Sequence, residues 1–241
     1  MEVRDKVVIV TGASSGIGMA TARLLAGKRA KVALVARSKG KLEDLSKELP
    51  GSVAIPADMT KEQEIRGMVE RTVNHYGRLD ILINNAGRGY NAPVEQIDPD
   101  KYRELFELDV VGPLVAMQAA IPIMRRQGGG AIINVSSGAA LMYLPNMSAY
   151  SSVKRALNAI TLTAREELAS DNIKVSVVYP YITLTDLDKN MIGAADFVET
   201  PAEDNDFRPP DTPEHVAQRV LGGIRSGEAE IFAHDWMKNL H

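Results

Sequence analysis

Residues 6–18 read KVVIVTGASSGIG, and this stretch decides the fold. The apolar run over residues 6–10 is typical of a short buried strand, and the pattern from about residue 17 to residue 27 is helical. Between them lies a turn that contains Gly12, Gly16 and Gly18. Glycines let a backbone turn tightly and approach a phosphate group, and a helix that begins there offers unpaired N–H groups. A glycine turn before a helix is often only a turn, and the spacing here is not G-x-G-x-x-G, so its context decides.

The same alternation of apolar runs and helical patterns continues along the chain to about residue 180. Continuous Val and Ile runs that alternate with helices are typical of a parallel sheet covered on both faces. The predicted fold class is therefore α/β, a doubly wound, mostly parallel seven-stranded sheet in a single domain over residues 1–241. A kink is expected in the fourth helix, at Pro113 or Pro122. The predicted strands cover 6–10, 31–35, 52–56, 79–83, 131–135, 174–178 and 230–233, and the predicted helices cover 17–27, 41–49, 61–76, 101–126, 149–170 and 213–226.

The composition limits the function classes. The 241 residues carry a formal net charge of −3 without a basic stripe, so a nucleic-acid partner is not expected. The absence of cysteine excludes disulfides, thiolate nucleophiles and cysteine-ligated zinc. The start of the chain does not resemble a signal peptide, and no apolar run approaches the roughly 18 residues of a membrane span. We therefore expect a cytoplasmic protein that has no membrane partner.

The end of the second predicted strand bears on the choice of a nucleotide. A dinucleotide site for NAD usually has an acid about 20 residues after the glycines, where it binds the ribose 2′-hydroxyl. The sequence has Ala36 there, followed by Arg37 and Ser38. A guanidinium can hold the 2′-phosphate of NADP through two donors, and a serine hydroxyl adds a third. We favour NADP(H) over NAD(H); the alternative is an ordinary solvated arginine at the start of a loop.

A tyrosine, a lysine and a serine form the candidate reacting group. Tyr150 and Lys154 are four residues apart in a predicted helix and therefore share one face. A free phenol has a pKa of about 10, too high for an efficient base, and a nearby ammonium lowers it. Ser137 follows the fifth predicted strand, at the carboxyl end where open α/β sheets bind ligands, and its hydroxyl can stabilise charge on a substrate oxygen. Ser136 points the other way and is expected to be structural.

Together these motifs resemble the short-chain dehydrogenase/reductase family. The matching stretches are 11–18, 84–87 and 150–154 together with Ser137, and the likeness covers about residues 5–185. The resemblance implies an oxidoreductase that interconverts a ketone or aldehyde and an alcohol by hydride transfer, and the residues after the second strand add the expectation that its cofactor is NADP(H). It also implies the strand order 3-2-1-4-5-6-7 and a homodimer or homotetramer built on two long helices.

The resemblance also assigns roles to individual residues. Tyr150 donates or accepts the proton, Ser137 anchors the substrate oxygen, and Lys154 lowers the Tyr150 pKa and binds the nicotinamide ribose. Asp109 is the fourth member of the catalytic group, at a position where the family usually has a water-holding asparagine. The implied cofactor-binding residues are Gly12, Ser14, Ser15, Gly16, Ile17, Gly18, Arg37, Ser38, Asp58, Met59, Asn85, Ala86, Gly87, Tyr150, Lys154, Pro180, Thr183 and Thr185.

Two positions depart from the family's pattern. An ionised Asp109 accepts hydrogen bonds but donates none, and it attracts Lys154. We expect either a slower or pH-shifted enzyme, or an aspartate that does the work of the asparagine. Tyr181 stands where the family usually has glycine. Either its backbone is ordinary, or its ring lines the substrate pocket.

The segment over residues 186–212 is predicted to lie over the substrate, because it is long and has no sustained period. Met142, Tyr143 and Met147 lie between the candidate serine and tyrosine, and we expect them to line an apolar pocket; the alternative is a place in the core. No metal site is expected, because the histidines are scattered and have no ligand spacing (His75, His215, His234 and His241).

Two other functions remain open. One is a reductase of 3-oxoacyl groups on an acyl-carrier protein, although such proteins usually end in a strand with two glycines and this chain ends differently. The other is a sensor that binds NADP(H) without turnover. The Asp109 change allows a sensor, and the intact set of Ser137, Tyr150 and Lys154 argues against it.

Overall fold

A seven-stranded sheet forms the centre of the protein. The structure is a computed structural model that describes residues 1–185, 191–193 and 208–240. The strand order is β3-β2-β1-β4-β5-β6-β7, and all six neighbouring pairs are parallel. The predicted fold class and the strand order are therefore confirmed. The strands are β1 (Val7–Thr11), β2 (Lys31–Ala36), β3 (Val53–Pro56), β4 (Ile81–Asn84), β5 (Gly130–Val135), β6 (Ile173–Tyr179) and β7 (Glu230–Phe232).

Helices cover both faces of the sheet, and an apolar cluster fills each of the two layers. Val8 and Val10 of β1 face one cluster, whereas Val7 and Ile9 face the other, because successive residues of a strand point to opposite faces. All four are fully buried, as expected for a sheet covered on both sides. The helices are α1 (Gly16–Gly27), α2 (Lys39–Glu48), α3 (Glu62–Tyr76), α4 (Pro99–Phe106), α5 (Gly112–Arg126), α6 (Ser148–Glu167) and α7 (Pro213–Ser226).

The helix predicted over 101–126 differs most from its prediction. It consists of α4, a π-helical segment over Glu107–Val111 and α5. Pro113 has no N–H for the carbonyl of Asp109, which accounts for the wider π-helical turn just before the proline. The α-helix continues through Pro122.

The continuous helical stretch Pro99–Arg126 has the length and hydropathy of a membrane span, the only such stretch among the described residues. The expectation that no apolar stretch reaches this length is therefore wrong. In this structure 44% of its apolar window is buried inside the protein. Ala116, Ala120 and Met124 of α5 are fully buried in the cluster between the sheet and α3, so the stretch is a covering layer of the sheet.

The topology brings four strand ends together at one edge. β1 lies between β2 and β4, and the sheet continues through β5 and β6. Thr11, Asn84, Val135 and Tyr179 are the last residues of β1, β4, β5 and β6. The carboxyl edge of an open parallel sheet is where such folds bind ligands. Of the segment predicted to lie over the substrate, residues 186–190 and 194–207 lie outside the described residues.

Candidate active site

A cleft of about 1590 Å³ opens at the carboxyl edge of the sheet. Most of the predicted site residues line it. Gly18 and Asp109 do not line the cleft; both are buried behind its wall. The predicted residues that line it are Gly12, Ser14, Ser15, Gly16, Ile17, Arg37, Ser38, Asp58, Met59, Asn85, Ala86, Gly87, Ser137, Tyr150, Lys154, Pro180, Thr183 and Thr185.

The turn after β1 is shaped for a close approach to a phosphate. Gly12 and Gly16 have φ angles of +68° and +51°, which residues with a side chain rarely adopt. A Cβ atom at Gly18 would lie 2.2 Å from the Gly12 carbonyl oxygen, so α1 packs tightly onto the turn. Ser15, at the N-cap of α1, makes no side-chain cap, and the first N–H groups of α1 therefore remain for a ligand. These features fit the pyrophosphate of a dinucleotide.

Thr11 joins this turn to the loop after β4. Its hydroxyl accepts hydrogen bonds from the backbone N–H groups of Asn85 (2.9 Å) and Ala86 (3.0 Å). The Asn85 side chain donates in return to the Thr11 carbonyl oxygen at 2.9 Å. A Cβ atom at Gly12 would lie 2.8 Å from Asn85 Nδ2, so the two loops form one continuous wall.

The residues that follow β2 bring positive charge to the cleft. Arg37 is exposed there, and Lys41 in the first turn of α2 lines the same cleft, although the sequence analysis did not single it out. Across from them, Thr60 donates two hydrogen bonds of 2.9 Å to the Asp58 carboxylate. Burial alone would raise the pKa of Asp58, but the Thr60 hydrogen bonds and the charge of Arg37 hold it below its usual value. Asp58 is therefore an ionised acceptor at neutral pH.

Ser137, Tyr150 and Lys154 converge in the cleft. Tyr150 and Lys154 lie near the start of α6 and are 7% and 4% exposed. Lys154 Nζ donates to the carbonyl oxygen of Val135 at 3.2 Å and lies 5.8 Å from the centroid of the Tyr150 ring. Ser137 is close enough to the phenol to affect its pKa by hydrogen bonding. Ser136 is buried, with its hydroxyl 3.5 Å from the Lys154 carbonyl oxygen, which fits a structural role.

Asp109 forms a buried ion pair with Lys154. Its Oδ2 atom lies 3.0 Å from Lys154 Nζ, and its Oδ1 atom accepts a hydrogen bond from the Arg88 backbone N–H at 3.1 Å. The side chains of Asp109 and Lys154 are 0% and 5% exposed. A Cβ atom at Gly87 would lie 3.1 Å from the carboxylate and 3.2 Å from the ammonium, so a glycine at this position lets the β4 loop pack on the pair.

These three titratable groups influence one another. Burial would lower the pKa of Lys154, but the Asp109 carboxylate and Tyr150 together raise it above its usual value. Burial raises the pKa of Asp109, against the opposing effect of Lys154. Burial also raises the pKa of Tyr150; Lys154 and Ser137 lower it, and Asp109 raises it further. The aspartate thus opposes the effect of the lysine on the phenol.

The segment after β6 packs against the turn after β1. Thr185 lies over the start of α1, because a Cβ atom at Gly16 would be 3.1 Å from its Cγ2 atom. The Thr183 hydroxyl donates to the Tyr181 carbonyl oxygen at 2.7 Å. Both expectations for Tyr181 hold. Its φ angle is not positive, so its backbone is ordinary, and its side chain lines the cleft.

The loop between Ser137 and Tyr150 follows its prediction in part. Met142 and Met147 line the cleft. Tyr143 does not: it is 91% exposed and lies over the Arg155 guanidinium at 4.4 Å, so its predicted place in the pocket is wrong. Tyr143 is the exception in this part of the loop, since Met142 and the residues from Leu144 to Met147 all line the cleft. Trp236 also lines the cleft, from the C-terminal region, although no sequence motif marks it.

His215 and His234 come together although they were expected to be scattered. Their rings stack with centroids 5.0 Å apart, and Nε2 of His234 lies 2.9 and 3.0 Å from the two carboxylate oxygens of Asp211. The three side chains are compact enough to hold a metal ion. Nε2 of His215 contacts the carbonyl oxygen of Ala233 at 3.1 Å, so each of these ring nitrogens already has a protein partner.

Comparison with known proteins agrees with this geometry. The family model for short chain dehydrogenases matches residues 6–194. An uncharacterized oxidoreductase of Staphylococcus saprophyticus is 37% identical over 189 residues, which are 77% of each chain.

Two solved structures share nearly the whole fold. A 3-ketoacyl-(acyl-carrier-protein) reductase from Brucella melitensis, complexed with NADH, has a TM-score of 0.86 at 26% identity and covers 95% of this chain and 97% of its own. A 7α-hydroxysteroid dehydrogenase, complexed with NADH and 7-oxo glycochenodeoxycholic acid, has the same TM-score and identity and covers 96% and 93%. Both relatives bind a nicotinamide cofactor.

Proposed function

This chain belongs to the short-chain dehydrogenase/reductase family and is an oxidoreductase, and from this premise we propose that it interconverts a ketone or aldehyde and an alcohol with NADP(H). The observation that carries the proposal is the convergence of Ser137, Tyr150 and Lys154, two of them almost fully buried, in the cleft at the carboxyl edge of the sheet. A buried ammonium beside a phenol is the arrangement that acid/base work by a tyrosine requires.

Each of the three converging residues has its own role in the proposed reaction. When bound, the nicotinamide ring supplies a hydride in reduction and takes one in oxidation. In reduction the Ser137 hydroxyl binds the carbonyl oxygen, and the Tyr150 hydroxyl gives its proton to that oxygen, which completes the alcohol. The Lys154 ammonium stabilises the phenolate that remains on Tyr150. Reduction is the direction that we favour in the cell.

The preference for NADP(H) is supported by charge. β2 ends at Ala36, which has no carboxylate for a ribose 2′-hydroxyl, and Arg37 is exposed directly after it. Lys41 adds a second cation to the same part of the cleft. Guanidinium groups bind phosphate through paired donors, and a 2′-phosphate distinguishes NADP from NAD. The two solved structures described above carry NADH, so the preference for NADP(H) rests on this chain's own residues.

Asp109 tunes the proton transfer in this proposal. Its carboxylate faces Lys154 at 3.0 Å and opposes the formation of phenolate on Tyr150. We infer an enzyme whose alcohol oxidation needs a more alkaline pH than it would with an asparagine at this position.

A homo-oligomer in the cytoplasm, without nucleic acid or membrane, completes the proposal. α5 and α6 leave apolar residues partly exposed, among them Leu114, Ile121 and Ile160, of which the last two also pack against the core. Helices that are apolar on more than one face bury the second face against another surface. We propose that a second copy of this chain covers them, as a dimer or tetramer.

The likeness to the Brucella protein favours one alternative function, reduction of a 3-oxoacyl group carried by an acyl-carrier protein. The two functions share the chemistry and differ in the carrier. The two functions are distinguished by comparing kcat/KM for one 3-oxoacyl group carried by the acyl-carrier protein with kcat/KM for the same group carried by a small thiol. A preference for the protein-bound form of a hundredfold or more would replace our proposal.

The proposal is tested by following NADPH absorbance while a panel of ketones and aldehydes is added. We expect at least one carbonyl to drive oxidation, and we expect Tyr150→Phe to abolish it while NADPH still binds. Tyr143→Phe makes the same substitution at a tyrosine that is 91% exposed and outside the cleft, and it should retain the rate. Binding of NADPH without turnover of any carbonyl would favour a sensor instead.

A further inference from the structure

We propose that Tyr181 and Trp236 form a subsite for a flat aromatic ring, so that the substrate of this enzyme is a ketone or alcohol that carries an aryl group. The inference rests on the proposed function, because it names the substrate class of the same cleft. Both side chains line the cleft that contains Ser137 and Tyr150.

Both rings belong to segments that contact the residue directly after the substrate-anchoring serine. The N–H of Gly138 donates to the Pro180 carbonyl oxygen at 2.7 Å, and Tyr181 follows immediately. A Cβ atom at Gly138 would lie 2.8 Å from Cε of Met237, so the short helix that carries Trp236 packs on the same residue. When the substrate oxygen binds to Ser137, the other atoms of the substrate therefore lie next to the rings of Tyr181 and Trp236.

The two rings form a right-angled corner. Their centroids are 5.3 Å apart and their planes differ by 82°. The Arg208 guanidinium lies 4.5 Å from the Trp236 ring centroid and holds the indole by a cation–π contact. Burial raises the pKa of the Tyr181 phenol, so this ring is neutral at physiological pH. The His234 ring also stacks on the indole, with centroids 6.0 Å apart and planes that differ by 16°. A flat ring in this corner therefore packs face-on against Tyr181 and meets the indole edge-on, since the indole already contacts Arg208 and His234.

Hydrogen bonds behind the corner hold it in place. The Asp211 N–H donates to the Ile182 carbonyl oxygen at 2.7 Å, and the Leu184 N–H donates to the Asp211 carbonyl oxygen at 2.9 Å. The Asp211 carboxylate contacts His234, whose ring packs edge-on against Tyr181 with centroids 6.1 Å apart. A wall that is already fixed loses little conformational freedom when a ligand binds, which favours affinity.

The loop between Ser137 and Tyr150 lines the same cleft, mostly with apolar residues. Met142, Leu144 and Met147 line the cleft there, and methionine sulfur makes favourable contacts with the edges of aromatic rings. Residues 138–149, which form this loop, contain no charged side chain. An uncharged aryl group fits this loop better than a phosphorylated or carboxylated substrate does, and the Arg208 guanidinium near the corner already has the Trp236 ring as a partner.

The first test compares two ketones that share the carbonyl group and the spacer and differ only in the ring, 4-phenyl-2-butanone and 4-cyclohexyl-2-butanone. We expect the phenyl ketone to have a kcat/KM about threefold to tenfold higher, since an aromatic contact adds to simple burial. Tyr181→Leu and Trp236→Leu should bring this ratio close to one. Tyr143→Leu is the matched control outside the cleft and should keep the wild-type ratio. A wild-type ratio near one, or a ratio unaffected by both substitutions, would overturn the subsite.

A second readout does not depend on turnover. Trp236 is the only tryptophan of the chain, so its fluorescence reports on the corner directly. In Tyr150→Phe enzyme loaded with NADP⁺, 4-phenyl-2-butanol should quench this fluorescence with a Kd at least threefold lower than that of 4-cyclohexyl-2-butanol. Equal affinities, or no saturable binding of either alcohol, would overturn the subsite. If the phenyl alcohol binds selectively but no carbonyl oxidises NADPH, the subsite stands and the reductase function fails.

Discussion

Replacing Asp109 by asparagine removes one buried charge and keeps the size of the side chain. The carboxylate lies 3.0 Å from Lys154 Nζ, which is 5.8 Å from the Tyr150 ring centroid. The carboxylate is therefore within about 9 Å of the ring. At an effective dielectric constant of about 20, the interaction energy of two unit charges at that distance is about 2 kcal/mol. Because the carboxylate disfavours phenolate, its removal should lower the Tyr150 pKa.

The assay is the pH dependence of kcat/KM for alcohol oxidation, which rises as the phenol loses its proton. In Asp109→Asn this rise should occur at lower pH. At a fixed pH on the rising limb, the variant should be about tenfold faster or more, since about 1.4 kcal/mol corresponds to a factor of ten. The phenolate of Tyr150 itself favours the charged form of Lys154. The limb therefore moves to lower pH, because the ammonium then acts on the phenol without an opposing carboxylate.

Glu70→Gln is the control, because it makes the same change of charge on an exposed part of α3. It should leave the pH profile in place. A profile of Asp109→Asn that superimposes on the wild type, or one that moves to higher pH, would refute the electrostatic reasoning. A uniform loss of rate at every pH would refute it as well, since it would mean that Asp109 only holds the fold.

Three further predictions concern the cofactor site and the stability of the sheet. Arg37→Glu should lower the ratio of kcat/KM with NADPH to that with NADH by about tenfold or more, because a charge-assisted contact is replaced by repulsion; an unchanged ratio would contradict the role of Arg37. Gly18→Ala places a Cβ atom 2.2 Å from the Gly12 carbonyl oxygen, so Tm and NADPH affinity should both fall, the stability by about 1–3 kcal/mol. Asp80→Asn should lower the free energy of unfolding by about 1–3 kcal/mol, because the Asp80 carboxylate accepts hydrogen bonds from Arg78 and from a β1 N–H. Although burial alone would raise it, these partners hold the pKa of Asp80 below its usual value. In denaturant melts, the wild type should therefore have the higher free energy of unfolding at neutral pH, and this difference should disappear as the pH falls below about 4. A difference that persists in acid would contradict the role of the ionised Asp80.

The elements were predictable where local pattern and tertiary packing agree. β1, β2 and β5 are continuous apolar runs between turns, and their bounds differ from the prediction by one residue at each end or less. The π-helical segment over Glu107–Val111 was not predictable from periodicity, since it arises from one missing N–H in an otherwise helical pattern.

The site was predictable to the extent that it is built from neighbours along the chain or from strand ends. Tyr150 and Lys154 share a helix face, and Ser137 follows a strand, so topology alone brings them to one cleft. The contact between His234 and Asp211 joins residues from either side of α7, and no local period signals such a contact. The ion pair of Lys154 with Asp109 was anticipated only because the aspartate departs from the family's pattern.

Thr183 and Asp211 pair in an isolated β-bridge, so the two ends of the chain segment between them lie side by side. The free energy needed to close a loop between two fixed residues rises by only about 0.6 kcal/mol for each doubling of the loop's length. Insertions and deletions between these two residues are therefore tolerated thermodynamically while β6 and α7 keep their places. A change in this stretch that keeps Thr185, Arg208 and the bridge of Ile192 to Tyr90 can alter the choice of substrate at little cost to the rest of the molecule. Protein engineers can do the same by transplanting the stretch from one relative to another at these two residues.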